Sequence, residues 1–122
     1  MIVLLDNGHG VNTPGKRSPD GRLREYAWAR EIAQRIAIAL QREDIDARLL
    51  VPETTDIPLS VRVRRVNEVC KAERTRNVCV VSIHNNAAGA DGHWHDARGF
   101  AVYIALNGGQ GSRRLAALLA EE

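Results

Sequence analysis

Three side chains far apart in the sequence carry the chemistry of a metal site. His9 stands in Asp6-Asn7-Gly8-His9-Gly10, directly after the apolar run Ile2-Val3-Leu4-Leu5. His84 stands in His84-Asn85-Asn86-Ala87, directly after Val78-Cys79-Val80-Val81-Ser82-Ile83. Glu25, in Leu23-Arg24-Glu25-Tyr26, opens a long helical pattern. Two imidazoles and a carboxylate on rigid elements suit zinc of the catalytic kind, in which three protein ligands leave a fourth position open for water. Each residue also has a plainer reading. A histidine that ends a strand is commonly a loop or core residue, and Glu25 suits a helix first turn, where the macrodipole favours an anion.

The elements decide whether the three can meet. Residues 2–6 are continuously apolar, as in a strand buried on both faces. Residues 7–22 hold Gly8, Gly10, Pro14, Gly15, Pro19 and Gly21 and form a long loop. From Leu23 to about Arg42, Ile32, Ile36 and Leu40 recur at helical spacing beside Ala29, Ala33 and Ala37. Residues 46–51 read as a second strand. A helix follows, capped by Asp56 or Ser60, with Val63, Val66 and Val69 as its apolar stripe. Residues 77–84 form a third strand and 99–106 a fourth. Ser112–Glu121 reads as a last helix, with Leu115, Leu118 and Leu119 on its core side. Strands separated by helices imply an α/β fold: a three-layer α/β/α arrangement with a mostly parallel, twisted sheet and helices on both faces.

That layout brings the candidates to one edge. Ligands of parallel sheets collect at the carboxyl ends of the strands. His9 and His84 follow two such ends. A helix running back antiparallel to the strands starts at the same edge, which is where Glu25 lies. Gly8 and Gly10 would let the backbone bend sharply around His9. Asp6 and Asn86 are the candidates for orienting the ligand imidazoles from behind or touching substrate. His93 and His95, in the polar loop Gly92-His93-Trp94-His95-Asp96, read as loop residues rimming the site.

Composition narrows the remaining choices. One hundred and twenty-two residues suit a single domain with one core. The net charge is +2, and acids follow the densest basic cluster, Arg62-Val63-Arg64-Arg65, on the same helix. That cluster therefore reads as a solvated face and not a nucleic-acid surface. Aromatic residues make up 4% of the chain, too few for a base-stacking platform. Cys70 and Cys79 read as small core residues, with a disulfide left open. No run approaches the length of a membrane span, and Met1 opens straight into a strand with no signal-peptide pattern.

The ordered motifs resemble the zinc-dependent N-acetylmuramoyl-L-alanine amidases of the autolysin and cell-separation type. The resemblance rests on Asp6-Asn7-Gly8-His9-Gly10, Leu23-Arg24-Glu25, Leu59-Ser60-Val61-Arg62 through Asn67, Ser82-Ile83-His84-Asn85-Asn86-Ala87 and Gly99-Phe100-Ala101-Val102-Tyr103. It implies one zinc ion per chain on His9, Glu25 and His84. It also implies hydrolysis of the amide between N-acetylmuramic acid and L-alanine in bacterial peptidoglycan, at the cell wall. Asn7 replaces the usual proline and Val11 a second glycine. The family's general-base glutamate is expected beyond Glu122, so residues 1–122 read as one amidase catalytic domain lacking its C-terminal strands and helix, with no catalytic base assignable within it. An open sheet edge in such a chain would favour self-association. Two other readings use the same residues: a non-catalytic zinc or peptidoglycan-binding relative, and another zinc amidohydrolase or peptidase.

Overall fold

The computed structural model describes residues 1–89 and 91–121. In chain order the elements are β1 (Ile2–Asn7), α1 (Glu25–Arg42), β2 (Asp46–Leu49), α2 (Leu59–Ala72), β3 (Val78–Ile83) and α3 (Gln110–Ala120). The fold is α/β. Its strands form one small parallel sheet in the order β2-β1-β3. All six residues of β1 are buried, as the central position of that strand requires. Its ladder with β3 runs from Ile2↔Val78 to Asn7↔Ile83, so the two strands end level.

Alternation along β1 splits the core in two. Val3 and Leu5 pack with Ala29, Ala33 and Ala37 of α1. Ile2 and Leu4 pack with Leu50 and Val51 and against Val66 and Val69 of α2. Right-handed crossovers account for this. The chain leaves β1 in one direction to reach β2, then passes back over β1 to reach β3, so the connecting helices meet different strand faces. The buried stripe of α1 is its alanines, at intervals of four, while Ile32, Ile36 and Leu40 are half-buried at its margins. Side chains ending at Cβ let the helix lie close on the sheet.

Several expectations are corrected. Residues 99–106 are not a strand: they pair with no ladder, and Phe100, Tyr103 and Leu106 are exposed. Strand propensity reflects packing on a half-buried surface, and here there is none beneath the segment. The leucines of α3 likewise cover no core, since the helix buries none of its residues. The N-cap of α2 is Pro58, without a side-chain cap. Asp56 instead spends its carboxylate on Thr13 and Arg62. Cys70 and Cys79 are free and half-buried. Among the described residues no helix is long and apolar enough to cross a membrane.

The alanine stripe makes a stability prediction. Ala33→Leu should cost about 1–3 kcal/mol by forcing α1 off the sheet. Ile38→Ala, at an exposed position of the same helix, should stay within about 0.5 kcal/mol. Urea denaturation of the two variants measures the contrast.

Candidate metal centre

The level ends of β1 and β3 bring the two histidines together. Gly8 N–H donates to Ile83 O at 2.9 Å, extending the ladder by one bond before the chains part. The His9 and His84 rings then stand nearly perpendicular, with centroids 5.0 Å apart. Glu25, the first residue of α1 and 5% exposed, reaches both. Its Oε1 lies 3.6 Å from His9 Nε2 and 3.1 Å from His84 Nδ1. One ligand atom from each residue falls within 4.8 Å of the others, so the group could hold a metal ion. Tetrahedral zinc with bonds near 2.0–2.1 Å needs ligand atoms about 3.3 Å apart. The two separations from Glu25 bracket that length, so the donor set suits such an ion.

The glycines matter through close approach, and the sharp bend lies elsewhere. Among Gly8, His9 and Gly10, only His9 has left-handed backbone, with φ 58°. A Cβ on Gly8 would lie 2.5 Å from the His84 ring, so that position is kept bare for an imidazole. A Cβ on Gly10 would lie 1.9 Å from Asp56 N, where backbone already passes. Holding a non-glycine residue in the left-handed region costs on the order of 1–3 kcal/mol unless its surroundings fix it. Arg30 supplies the fixing contacts. Its Nη1 donates to His9 O at 3.0 Å and Tyr26 O at 2.9 Å, and its Nε donates to Glu53 O at 2.9 Å.

The donors differ in their support. Asn85 N–H donates to Glu25 Oε1 at 2.9 Å and helps aim the carboxylate. Burial lowers the His9 pKa below the usual imidazole value, and Lys16 and His84 lower it further, while Glu25 and Asp56 act the other way. The net effect favours the neutral ring, which is the form that ligates metals. Asn7 is fully buried beside this group, and its carboxamide has no hydrogen-bond partner among the described residues. The sequence reading overlooked Asn7, Asn85 and Arg30; bonds from the Arg30 side chain to backbone carbonyls, and from the Asn85 backbone N–H to Glu25, leave no pattern in residue spacing.

Asp6 and Asn86 do not orient the imidazoles. Asp6 lies on the α2 face of β1, where Arg62 Nη1 binds its Oδ1 and Ser82 Oγ donates to its Oδ2 at 2.7 Å. Asn86 is exposed and bonded to neither ring among the described residues. Arg62 is a second correction, since it is 7% exposed and does not belong to a solvated face. It donates to Asp6, Asn7 O (2.7 Å), Ile57 O (2.7 Å) and Asp56 Oδ1 (3.0 Å). Arg64 and Glu68 do form a solvated pair, while Arg65 grips Glu53. His93 and His95 lie in an exposed loop, with His95 Nε2 against Asp91 Oδ1 at 2.9 Å, apart from the ligand group.

Two predictions follow from this charge network. Arg62→Ala should destabilise by about 3–5 kcal/mol, because Asp6 is left buried without its cation. Adding Asp6→Asn should recover part of that loss, as a denaturation double-mutant cycle would measure. Arg65 holds the Glu53 carboxyl down to about 2 from 4.5. A depressed folded-state pKa adds stability above the unfolded value that is lost as pH falls through the folded one. Thermal melts should therefore show a loss between pH 4.5 and about 2 that is smaller in Glu53→Gln.

The family model described as N-acetylmuramoyl-L-alanine amidase matches residues 3–122. The catalytic domain of CwlV, an N-acetylmuramoyl-L-alanine amidase from Bacillus (Paenibacillus) polymyxa var. colistinus, is similar in structure, with 26% identity and a TM-score of 0.58. The match covers 73% of this chain and 47% of that domain. No curated protein matches.

Proposed function

The chain belongs to the N-acetylmuramoyl-L-alanine amidase family, and from that premise we propose that it is the metal-binding part of a zinc-dependent hydrolase. The proposed reaction is cleavage of the amide between N-acetylmuramic acid and L-alanine in bacterial peptidoglycan. The observation that carries the reading is the convergence of His9, Glu25 and His84 within 4.8 Å at the carboxyl edge of the sheet. These three residues would hold one zinc ion. When bound, zinc supplies Lewis acidity toward an amide carbonyl and lowers the pKa of water.

The chain's own residues prepare that chemistry. Gly8 leaves room for the His84 ring, Arg30 fixes the His9 backbone, and Asn85 N–H supports Glu25. Amide hydrolysis also needs a group to take a proton from water and return it to the leaving amine. The proposal assigns that step to a glutamate in the part of an amidase domain that these residues do not span, and takes residues 1–122 as one catalytic domain continued there. The three-layer α/β/α arrangement is part of the same proposal, supported by α1 and α2 meeting different faces of β1. The outer edge of β3 carries the half-exposed Val80 and would give a second copy a place to pair.

Elemental analysis of the purified chain tests the metal. About one zinc per chain is expected, lost in His84→Ala and reduced in Gly8→Ala. Zinc retained in His84→Ala would remove the assignment. Release of an L-alanine amine from muramoyl peptide should be slow with residues 1–122 alone. It should rise by roughly 10²–10⁴-fold in a chain carrying the glutamate-bearing segment. Strong hydrolysis by residues 1–122 would place the base elsewhere.

A further inference from the structure

The loop between β1 and α1 builds a second feature beside the metal ligands. Residues 16–18 and 23–25 fold back on each other through Glu25 N–H to Lys16 O (3.0 Å), Ser18 N–H to Leu23 O (2.9 Å) and an antiparallel bridge between Arg17 and Arg24. Cations up to eight positions apart in sequence are thereby set side by side. They line a concavity of about 270 Å³ that runs from Gly10 to Tyr26. Gly10 is the chain neighbour of His9, and Tyr26 is the chain neighbour of Glu25. The concavity therefore begins one residue from two of the three ligands.

Its charge is one-sided. Lys16, Arg17 and Arg24 line it and no acidic residue does. Several other arginines do have a carboxylate: Arg22 has Asp20, Arg48 has Asp46, and Arg65 has Glu53. Lys16, Arg17 and Arg24 form no ion pair among the described residues. Asp56, behind the loop, is taken up by Thr13 and Arg62, and Asp20, within it, by Ser18 and Arg22. Gathering three like charges around one hollow is unfavourable unless an anion joins them.

We propose that this concavity is a subsite for a carboxylate of the peptide stem, with Lys16, Arg17 and Arg24 as its specificity-determining residues. The inference rests on the function proposed above. A stem residue spans about 3.5 Å when extended. With the scissile amide at His9, Glu25 and His84, the residue after alanine falls within reach of the hollow. The subsite would favour a stem whose second residue carries a free carboxylate over one in which that group is amidated.

The test uses the zinc-loaded chain and a muramoyl dipeptide ending in an acidic residue, beside the same dipeptide with its carboxylates amidated. Titration calorimetry should give about tenfold tighter binding of the acid, as expected for two or three exposed ion pairs. The preference should fall toward one in the variant Lys16→Gln/Arg17→Gln/Arg24→Gln. These side chains are exposed and the bridge is made by backbone, so the loop is expected to keep its fold. An undiminished preference in the variant would overturn the subsite and leave the amidase reading standing. Glutarate, followed through the amide resonances of residues 10–16, separates the remaining outcomes. If it shifts them in the parent and not in the variant while neither dipeptide binds, the anion site stands and the amidase reading falls. No response to any of the three ligands overturns both.

Discussion

A single guanidinium joins the segments from which the centre is built. Arg62 reaches from α2 to Asp6 and Asn7 at the end of β1, and to Asp56 and Ile57 in the loop before its own helix. Asp6 in turn accepts from Ser82, two residues before His84. The ends of β1 and β3 are thus fastened to one buried cation, β3 by way of Asp6. Lysine could not take its place, because a point charge cannot address two carboxylates and two carbonyls through a planar fork. The histidines meet because this network and the ladder between β1 and β3 stop the strands at the same height.

Beyond the strand ends the chain must turn out of the sheet without losing His9. It does so in one residue, with His9 in the left-handed region and Gly10 passing against Asp56. A loop of alternative conformations would leave the imbalance between ordering cost and metal affinity to be settled on binding. Arg30 removes much of that freedom beforehand by bonding His9 O, Tyr26 O and Glu53 O together. Tyr26 stacks beneath the same guanidinium at 5.6 Å. The first two turns of α1 therefore carry one member of the group that could hold a metal ion, Glu25, and position another, His9.

Much of this was legible in the sequence, and what escaped it has physical causes. β1, α1 and β3 follow from apolar runs and helical spacing. The meeting of His9, Glu25 and His84 follows from the handedness of parallel crossovers, which sends strand ends and helix starts to one edge. The role of Arg62 was hidden, because its partner Asp6 is 56 residues away and its neighbours in sequence do form a solvated face. Asp6 looked like a partner for the imidazoles because it adjoins them in sequence. Strand alternation turns it toward α2, and it is Asn7 that lies on the face of α1. The segment 99–106 shows the limit of pattern reading from the other side: alternation specifies which residues would share a face, but a strand exists only with a partner to bond.

The charges around the centre are arranged by the same logic. Asp6 and Asp56 share Arg62 and Glu53 has Arg65, whereas the buried Glu25 has no arginine among the described residues. Its neighbours are two imidazoles and a backbone N–H. A divalent ion at this place would meet one carboxylate without an arginine and two imidazoles, and would keep a net positive charge. That surplus is what a Lewis acid needs, since a second free carboxylate would cancel it and weaken its pull on a carbonyl. Pairing the surrounding acids with arginines leaves Glu25 as the carboxylate open to such an ion.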